Sequence, residues 1–412
     1  MVQPDYVLTP KRTISSDTNH TPAEEIIARI ISLQKKLRVH DLDGCIILDK
    51  INLYYYTATM QNGTLFVPCS GEPLFFIRRS LEQGQQESPL ANLYQIKKFS
   101  EIPTSIDNHK YDIKKLGVDE TSLPLFLFRK LKETFPNTEF VDINRLLAHI
   151  RAIKSEYEIA QVREAGARHE QLYAAIPEMI REGMTEWDLG CQIMNKILKL
   201  GGMGIGRTVA FNSEVFGGNI CFGESGCAPC AFNGPGGLAG QSPAFPLLGG
   251  DRKLKKGDII AIDTVFGHNG YYTDKTRIFS LGAPKASALV AHDVCLNIQE
   301  KIRQMLKPGI RPCDIYEQVY ETLVHPLNFE QGFMGFGTNK VEFLGHGIGL
   351  VIDELPVIAK KTASPLESNM TIAVEPKKGL ERIGLVGIEN TFLVTEEGGQ
   401  KLTPGDDEII IL

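Results

Sequence analysis

Two apolar runs around a Gly-His-Asn-Gly turn constrain the fold of this chain most strongly. The segment reads GDIIAIDTVFGHNGYYTDKTRIFSLG, a pattern that predicts two antiparallel strands joined by a tight turn. Each strand carries one carboxylate within apolar residues, Asp263 in the first and Asp274 in the second. With His268 and Asn269 as the loop, the aspartates lie directly opposite each other. With Asn269 and Gly270 as the loop, they lie diagonally on the same face.

Two carboxylates on one face of a hairpin destabilise it unless a proton or a cation lies between them. An alternative is that a carboxylate is solvated on the outer face of its strand, and this accounts for nearby acids such as Asp251 and Asp258. It explains Asp263 poorly, because this residue ends the apolar run IIAID. The hairpin therefore predicts a site for a cation.

Three more candidate ligands follow in the same half of the chain. Glu375 ends TIAVEP and Glu389 lies within GLVGIENTFLV, where an unpaired charge is costly. His346 lies between two glycines in LGHGIGLVIDELPVI. Four carboxylates and one imidazole favour a hard divalent cation such as Mn²⁺, Fe²⁺ or Co²⁺ over a thiolate-bound zinc. Four negative charges balance two such ions, which predicts a dinuclear site.

A chain of 412 residues is too long for one ordinary core, which predicts two domains. Residues 1–20 are predicted to form a flexible arm. Residues 21–150 alternate strand-like and helix-like runs, which indicates a small α/β domain, and residues 151–412 mix them, which indicates an α+β domain. In the smaller domain, GCIILD, NLYYYTAT, TLFVPC and PLFFIRR are predicted strands.

Helix signals are clear at several positions. TPAEEIIARIISLQKKLRVH predicts a helix with Thr21 as its cap, Pro22 in its first turn and Glu24 closing a capping box. RLLAHIRAIKSEYEIAQVREAGARHEQLYAAIPEMI predicts one long helix, and Thr185 is the predicted cap of the next.

Composition excludes several classes of partner. A net charge of −6 and a pI near 5.9 argue against nucleic acid and against an anionic membrane. No signal peptide or membrane-spanning run is recognisable, so a cytoplasmic location is expected. Eight cysteines lack a disulfide-scaffold spacing, and the cluster Cys221, Cys227 and Cys230 is open to a redox or a zinc interpretation.

The segments DTVFGHNGYYTDKTRIF, GHGIGL, VEP and GIENT resemble the motifs of one family, that of aminopeptidase P, prolidase and methionine aminopeptidase. The order Asp, Asp, His, Glu, Glu matches, as does the step of 11 residues between the aspartates. The resemblance covers about residues 155–412. The preceding part resembles, more weakly, the creatinase/prolidase-type N-terminal domain.

The resemblance implies a pita-bread catalytic domain of the α+β class after a smaller α/β domain. It implies a dinuclear metallopeptidase in which Asp263 binds one ion while Asp274 and Glu389 bridge both. His346 and Glu375 are then the ligands of the second ion. A hydroxide between the ions is expected to attack Xaa-Pro peptides, with Glu375 as catalytic base. Mn²⁺ is the expected metal, with Co²⁺, Fe²⁺ and Zn²⁺ as alternatives, and relatives of this layout suggest a homodimer.

Two outer histidines of the family's peptidases are absent. In GHGIGLVIDELP, Asp353 stands where those peptidases carry a histidine, and Glu354 keeps the acid that follows. No histidine occurs between His169 and His268, where the family carries another. A carboxylate donates no hydrogen bond at neutral pH unless its pKa is raised, so the chemistry offered to a substrate carbonyl changes.

Asp353 is open to three interpretations: it recognises a cationic group, it orients Arg277, or it only bonds within its loop. Asp353, Glu354 and Arg277 are therefore candidates for substrate contact or for support of the ligands. The preferred function is an Xaa-Pro aminopeptidase or dipeptidase acting on small peptides. The alternative is a metal-dependent enzyme of this fold, lyase-like or amidohydrolase-like, with a non-peptide small-molecule substrate. A metal-free binding protein is disfavoured by the complete ligand set.

Overall fold

The computed structural model describes residues 20–412. The predicted N-terminal arm therefore lies, except for its last residue, outside the described part of the chain. The chain divides into two compact units, Met1–Ile150 and Arg151–Leu412. Among the helices between residues 20 and 412, none is both long enough and apolar enough to cross a membrane.

The first unit is a single mixed sheet with helices. Its strands are β1 (Gly44–Ile47), β2 (Gly63–Pro68), β3 (Leu74–Ile77), β4 (Asn92–Gln95), β5 (Lys115–Val118) and β6 (Glu139–Asp142). Its helices are α1 (Ala23–Val39), α2 (Lys50–Thr57), α3 (Leu81–Glu87), α4 (Ile102–Asn108) and α5 (Leu125–Thr134), and α6 (Asn144–Ala152) runs across the boundary. The strand order is β4-β3-β2-β1-β5-β6, and β1 pairs antiparallel with β2 but parallel with β5. Phe66 and Phe76 of the sheet pack in one core with Ile102 and Leu131 of the helices.

The predicted strand NLYYYTAT is wrong, because these residues form most of α2. The Asp49 side chain accepts a hydrogen bond from the Asn52 N–H at 2.8 Å, which caps the helix. Ala58 then ends it in the left-handed conformation, with φ of 62°. Leu53, Tyr56 and Thr57 are buried on one helical face, so a local cap and a buried face outweigh the β propensity of three tyrosines.

The predicted capping box of Thr21 is also wrong. Helix α1 begins at Ala23, Pro22 occupies the cap position, and no side chain caps the helix. Thr21 thus lies one residue too early for its hydroxyl to meet the N–H groups of the first turn. The cap predicted at Thr185 is confirmed, since Thr185 and Asp188 form a reciprocal capping box.

The second unit contains several sheets and, after α6, four α-helices. The helices are α7 (Glu156–Ala175), α8 (Glu186–Lys199), α9 (Ala286–Met305) and α10 (Pro312–Val319), the last followed by a π-helical turn at Tyr320–Val324. The first strands are β7 (Ile205–Gly206), β8 (Val215–Phe216), β9 (Gly218–Phe222), β10 (Ile259–His268), β11 (Tyr271–Ser280), β12 (Gly335–Phe336) and β13 (Asn339–Lys340). The later strands are β14 (Phe343–Gly347), β15 (Glu354–Ala359), β16 (Thr371–Val374), β17 (Lys377–Leu380), β18 (Gly384–Gly387), β19 (Asn390–Thr395), β20 (Gly398–Lys401) and β21 (Ile410–Ile411).

The helix predicted from RLLAHIRAIKSEYEIAQVREAGARHEQLYAAIPEMI is interrupted between α6 and α7. The Glu158 N–H donates to the Ser155 hydroxyl at 3.2 Å, and the Ser155 N–H donates to the Glu158 carboxylate at 3.0 Å. This capping box starts a new helix at Glu156. The pattern Ser-x-x-Glu is legible in the sequence and is the signal for the break.

The two largest sheets of the second unit have four and five strands. One has the order β21-β11-β10-β9 and the other β15-β14-β16-β19-β20, while β17 and β18 form a separate hairpin. Strand β10 is buried on both faces. Ile260 and Ile262 belong to a core with α7 and α8, whereas Ile259 and Ala261 belong to a core with α9 and α10. A strand enclosed in this way can bring a charged side chain to a buried position, as it does with Asp263.

Candidate metal and catalytic site

The hairpin of β10 and β11 forms with Asn269 and Gly270 as its two-residue turn. His268 and Tyr271 are the last paired residues, and both turn residues have positive φ, 47° and 90°. Positive φ at both positions is the requirement of a type I′ turn, whose twist matches that of the strands. Of the two registers open from the sequence, this is the one that keeps the aspartates diagonal.

The register brings Asp263 and Asp274 to the same face of the hairpin. Asp263 pairs with Thr276, and Asp274 pairs with Val265, so the two carboxylates are diagonal neighbours. Asp274 is buried, and Asp263 keeps 17% of its side chain exposed. Both line one cavity, where they provide the first two carboxylates of the site.

The ring of His346 is oriented by carbonyl groups of its own loop. It lies on β14, and its Nδ1 is 2.9 Å from the Ile352 carbonyl and 3.1 Å from the Gly347 carbonyl. Because carbonyl oxygens only accept, Nδ1 carries a proton, and Nε2 is the ring nitrogen left for a metal ion. That Nε2 lies 3.6 Å from Glu375 Oε1, toward the carboxylates. This is the arrangement of an imidazole prepared to bind a metal ion.

Glu375 and Glu389 complete the four carboxylates. Glu375 follows β16, and Glu389 stands between β18 and β19, with 4% and 1% of each residue exposed. Glu389 Oε2 accepts a hydrogen bond from the Thr276 hydroxyl at 2.8 Å, and the main chains of Glu389 and Thr276 are bridged. The second sheet thus holds Glu389 against the hairpin.

A lysine that the sequence interpretation missed lies among these acids. Lys377 is the first residue of β17, and only 1% of its side chain is exposed. Its Nζ lies 2.8 Å from Asp263 Oδ2, 2.9 Å from Glu375 Oε2 and 2.8 Å from Glu389 Oε2. An ammonium group has three N–H donors, and here each one meets a different carboxylate.

The charges of the cluster shift the pKa of most of its members. Burial, followed by the charge of Glu389, raises the pKa of Asp274 well above its usual range. Burial also raises the pKa of Glu389, although the Lys377 ammonium opposes it. Burial alone lowers the pKa of Lys377 and of His346, but the surrounding carboxylates outweigh it, and both pKa values are raised. Each shift has the sign expected of a site with excess negative charge.

The donors fit one divalent ion directly. Ligand atoms of Asp274, His346 and Glu389 all lie within 4.8 Å of one another. Two carboxylates and one imidazole are a suitable set for Mn²⁺, Fe²⁺ or Co²⁺. On the other side of the cluster, the carboxylates of Asp263, Glu375 and Glu389 are already bonded to Lys377. These residues therefore do not present a second vacant set of ligands.

The cavity in front of the cluster has a volume of about 380 Å³. All four carboxylates line it, and His346 is the one histidine that does so within residues 20–412. The glycine- and proline-rich segment at residues 227–250 also lines the cavity, with apolar side chains that include Phe232, Phe245 and Leu247. The three cysteines of this region bond to carbonyl groups, Cys221 to Gly237 at 3.0 Å, and all eight cysteines of the chain are free.

Of the three supporting candidates, the structure brings only Asp353 to the cavity. Its side chain is 41% exposed, and Oδ1 lies 3.9 Å from His346 Nδ1. Glu354 points away and binds two buried cations, Arg151 at 3.2 Å and Lys154 at 2.8 Å. Both oxygens of the Glu354 carboxylate are engaged by these cations, so the side chain does not line the cavity, and its role in substrate contact or ligand support stays a prediction.

Arg277 is likewise directed away from the cavity. Its Nη1 donates to the Glu389 carbonyl at 3.0 Å, and its Nη2 lies 2.7 Å from Asp407. Of the three interpretations of Asp353, the one in which it orients Arg277 does not correspond to a contact in the structure. Arg277 instead holds the main chain of a site glutamate, which makes it a positioning residue.

The sequence matches family models in both units. Residues 160–396 match the model of metallopeptidase family M24, and residues 29–153 match that of the creatinase/prolidase N-terminal domain. The first match alone covers more than half of the chain. The chain belongs to metallopeptidase family M24.

Individual relatives and solved structures agree with this assignment. An Xaa-Pro dipeptidase of Pyrococcus furiosus is 26% identical over 385 residues, which are 93% of this chain and 99% of the relative. An X-Pro aminopeptidase structure from Thermotoga maritima has a TM-score of 0.78 at 22% identity, over 93% of this chain and 99% of that one. An Xaa-Pro dipeptidase structure from Bacillus anthracis has the same TM-score at 23% identity, over 94% and 100%.

These findings confirm the family, the two-part fold and an enzyme of the metallopeptidase class. Membership in family M24 implies divalent metal ions. The five side chains predicted as ligands converge on one cavity in the structure. Their individual roles, the number of ions and the metal are proposals.

Proposed function

We propose that this chain hydrolyses small Xaa-Pro peptides at the cavity in front of the carboxylates. The observation that carries the proposal is the convergence of Asp263, Asp274, His346, Glu375 and Glu389 on one cavity wall. Two of the most similar relatives are named as Xaa-Pro dipeptidases, from Pyrococcus furiosus and Pyrococcus horikoshii. The cavity volume of about 380 Å³ is near the low end of the ~300–1,000 Å³ of small-ligand pockets, which favours dipeptides.

A bound divalent ion supplies Lewis acidity, which lowers the pKa of water and stabilises developing negative charge. The protein contributes the ligands and a base. Glu375 is the proposed base, since its Oε2 is engaged by Lys377 while its Oε1 faces His346 Nε2 at 3.6 Å. An oxygen at the cavity wall is positioned to accept the proton of an attacking water molecule.

The rest of the cavity offers contacts to both ends of a dipeptide. Phe232 and Phe245 provide an apolar wall against which a prolyl ring can pack. Asp353 is a half-exposed carboxylate at the cavity, and we assign it to the amino group of the substrate. This role gives the aspartate a function that a neutral histidine does not supply.

The test is hydrolysis of a panel of Xaa-Pro dipeptides, Xaa-Pro-Xaa tripeptides and matched Xaa-Ala dipeptides, with and without Mn²⁺. We expect metal-dependent release of proline, faster with dipeptides than with tripeptides. Glu375→Gln is expected to lower kcat by at least about 100-fold, the low end of general-base contributions. Glu381→Gln is the matched control, because Glu381 is a glutamate with 72% of its side chain exposed. Equal activity of wild type and Glu375→Gln contradicts the assigned base.

The cavity also supports a second candidate, a non-peptide small-molecule substrate. Asp353 replaces a hydrogen-bond donor of the family's peptidases, and no other histidine of the described residues lines the cavity. A protein that binds divalent metal but leaves every peptide of the panel intact supports this candidate and overturns the first.

Two further features are proposed: a homodimer, by analogy with relatives of this layout, and a cytoplasmic location, as expected from the sequence. Sedimentation equilibrium of the full chain tests the first, with 45.7 kDa expected for a monomer and twice that mass for the dimer. Cell fractionation tests the second, and recovery of the protein in a membrane or secreted fraction contradicts it.

A further inference from the structure

One cation of the site is a side chain of the protein, the ammonium group of Lys377. Lys377 Nζ lies 2.8–2.9 Å from three carboxylates that the family resemblance assigns to metal ions. Those distances are typical of strong charge-assisted hydrogen bonds. All three N–H donors of the ammonium are therefore used.

The local backbone accommodates this lysine. Lys377 pairs with Gly387 of β18, whose φ is 136°. A Cβ on Gly387 would lie 2.5 Å from Lys377 Cα and 3.0 Å from its Cγ. The glycine therefore leaves room for the lysine stem to turn toward the acids, and any larger residue there would displace it.

Charge balance limits the number of additional cations. Ligands of a metal ion are deprotonated, so Asp263, Asp274, Glu375 and Glu389 would together bring four negative charges to bound metal. The Lys377 ammonium reduces this sum to three. One divalent ion leaves a single negative charge, which a substrate amino group can match. Two ions would make the cluster positive and bring a dication against a buried ammonium, which is repulsive at short range.

The geometry agrees with this limit. Asp274, His346 and Glu389 present ligand atoms within 4.8 Å of one another, and the first two are not bonded to Lys377. They therefore remain available to an ion on the cavity side. Asp263 and Glu375, the other two predicted ligands, share the ammonium.

We propose that Lys377 replaces one of the two metal ions implied by the family, so that the chain binds a single divalent ion at Asp274, His346 and Glu389. The inference concerns the same site as the proposed peptidase function and refines it. Its test requires no substrate, so that the two proposals can fail separately.

The experiment is metal counting on the full chain. The apo-protein is loaded with excess Mn²⁺, freed of unbound metal by gel filtration, and analysed by inductively coupled plasma mass spectrometry. We expect one Mn²⁺ per chain, and an electron paramagnetic resonance spectrum of isolated rather than spin-coupled ions. Two ions per chain, or none, overturns the proposal.

Two variants test whether Lys377 limits the number of bound ions. Lys377→Met keeps an unbranched stem but removes the charge, and we expect it to bind two Mn²⁺ per chain. Lys378→Met is the matched control, because the neighbouring lysine donates to the Phe329 and Gln331 carbonyls instead. We expect it to bind one ion. If Lys377→Met retains native fluorescence of Trp187 and still binds one ion, Lys377 does not limit the count.

The outcomes separate the two proposals. A protein with one ion that does not cleave Xaa-Pro peptides supports the single-ion site and overturns the peptidase function. A protein with two ions that cleaves them supports the peptidase function and overturns the single-ion site.

Discussion

A buried histidine behind the hairpin should make the catalytic domain sensitive to acid. His169 Nε2 lies 2.9 Å from the Thr264 hydroxyl, and its Nδ1 lies 3.0 Å from the Thr273 hydroxyl. Thr264 donates its own proton to the Tyr173 hydroxyl at 3.0 Å, so Nε2 must donate to Thr264 and Nδ1 must accept from Thr273. A neutral imidazole satisfies this network and ties together the two strands that carry the aspartates.

Protonation of His169 in the native state is disfavoured. Burial, and then the charges of Lys275 and Arg277, hold its pKa well below the usual value. The unfolded chain binds the proton near pH 6.5, whereas the native chain does not, so stability is lost as the pH falls below that value. Between pH 7.5 and pH 5.5 the loss from this one group reaches about 1.4 kcal/mol, the value for a native imidazole that takes up no proton in that range.

The single tryptophan makes the measurement specific. Trp187 lies in α8 of the second unit, so its fluorescence reports unfolding of that unit alone. We would compare urea unfolding of wild type and His169→Gln at the two pH values, with EDTA present to exclude metal linkage. The pH-dependent loss should be smaller in the variant by about 1.4 kcal/mol, whatever its loss at pH 7.5.

Thr273→Val is the control that separates hydrogen bonding from titration. It removes a partner of His169 but keeps the imidazole, so it should be less stable at both pH values and retain the wild-type pH dependence. An equal pH-dependent loss in wild type and His169→Gln would refute the reasoning, because it would mean that His169 binds a proton equally in both states.

Three further predictions concern single contacts. Glu354→Ala leaves the buried charges of Arg151 and Lys154 without their partner, and Trp187 fluorescence in urea should show a loss of about 3–5 kcal/mol; a loss below 1 kcal/mol would contradict a buried network. Thr185→Ala removes a helix cap and should cost about 1 kcal/mol in the same assay, with Thr185→Ser close to wild type. Asp353→Asn should raise KM for an Xaa-Pro dipeptide about 2–5-fold at unchanged kcat, as expected for a partly exposed ion pair; a fall in kcat alone would argue against contact with the substrate amine.

The acidic residues that converge on the cavity were predictable, because the free-energy cost of burying a single charge is visible in the sequence. Asp263, Glu375 and Glu389 are single charges in apolar strand-like runs, and only a cation or a proton makes such positions tolerable. The strand period of two placed Asp263 and Asp274 on one face whichever turn formed. The choice between the two turns required the structure, since both loops contain a residue suited to positive φ.

Lys377 was missed although a signal existed. It follows Glu375 by two residues in VEPKKGL, and a lysine is seldom fully buried without a paired acid. Which acids it meets depends on β10, β17 and the β18–β19 connection coming together, and that is tertiary information. The orientation of Arg277 and Glu354 was hidden for the same reason: residue type made both candidates, but distant partners set the direction of each side chain.

The wide separation of the ligands along the chain also has a consequence for folding. Asp263 and Glu389 are joined through Lys377 and the bridge to Thr276, although more than a hundred residues lie between them. The chain must lose the conformational entropy of closing this long loop before the contact can stabilise it. This order favours slow folding of the domain. Any ion bound here recognises only the finished domain. At 100 times its Kd it would therefore raise the free energy of unfolding by about 2.7 kcal/mol, so a thermal shift with added metal reports assembly of the entire second unit.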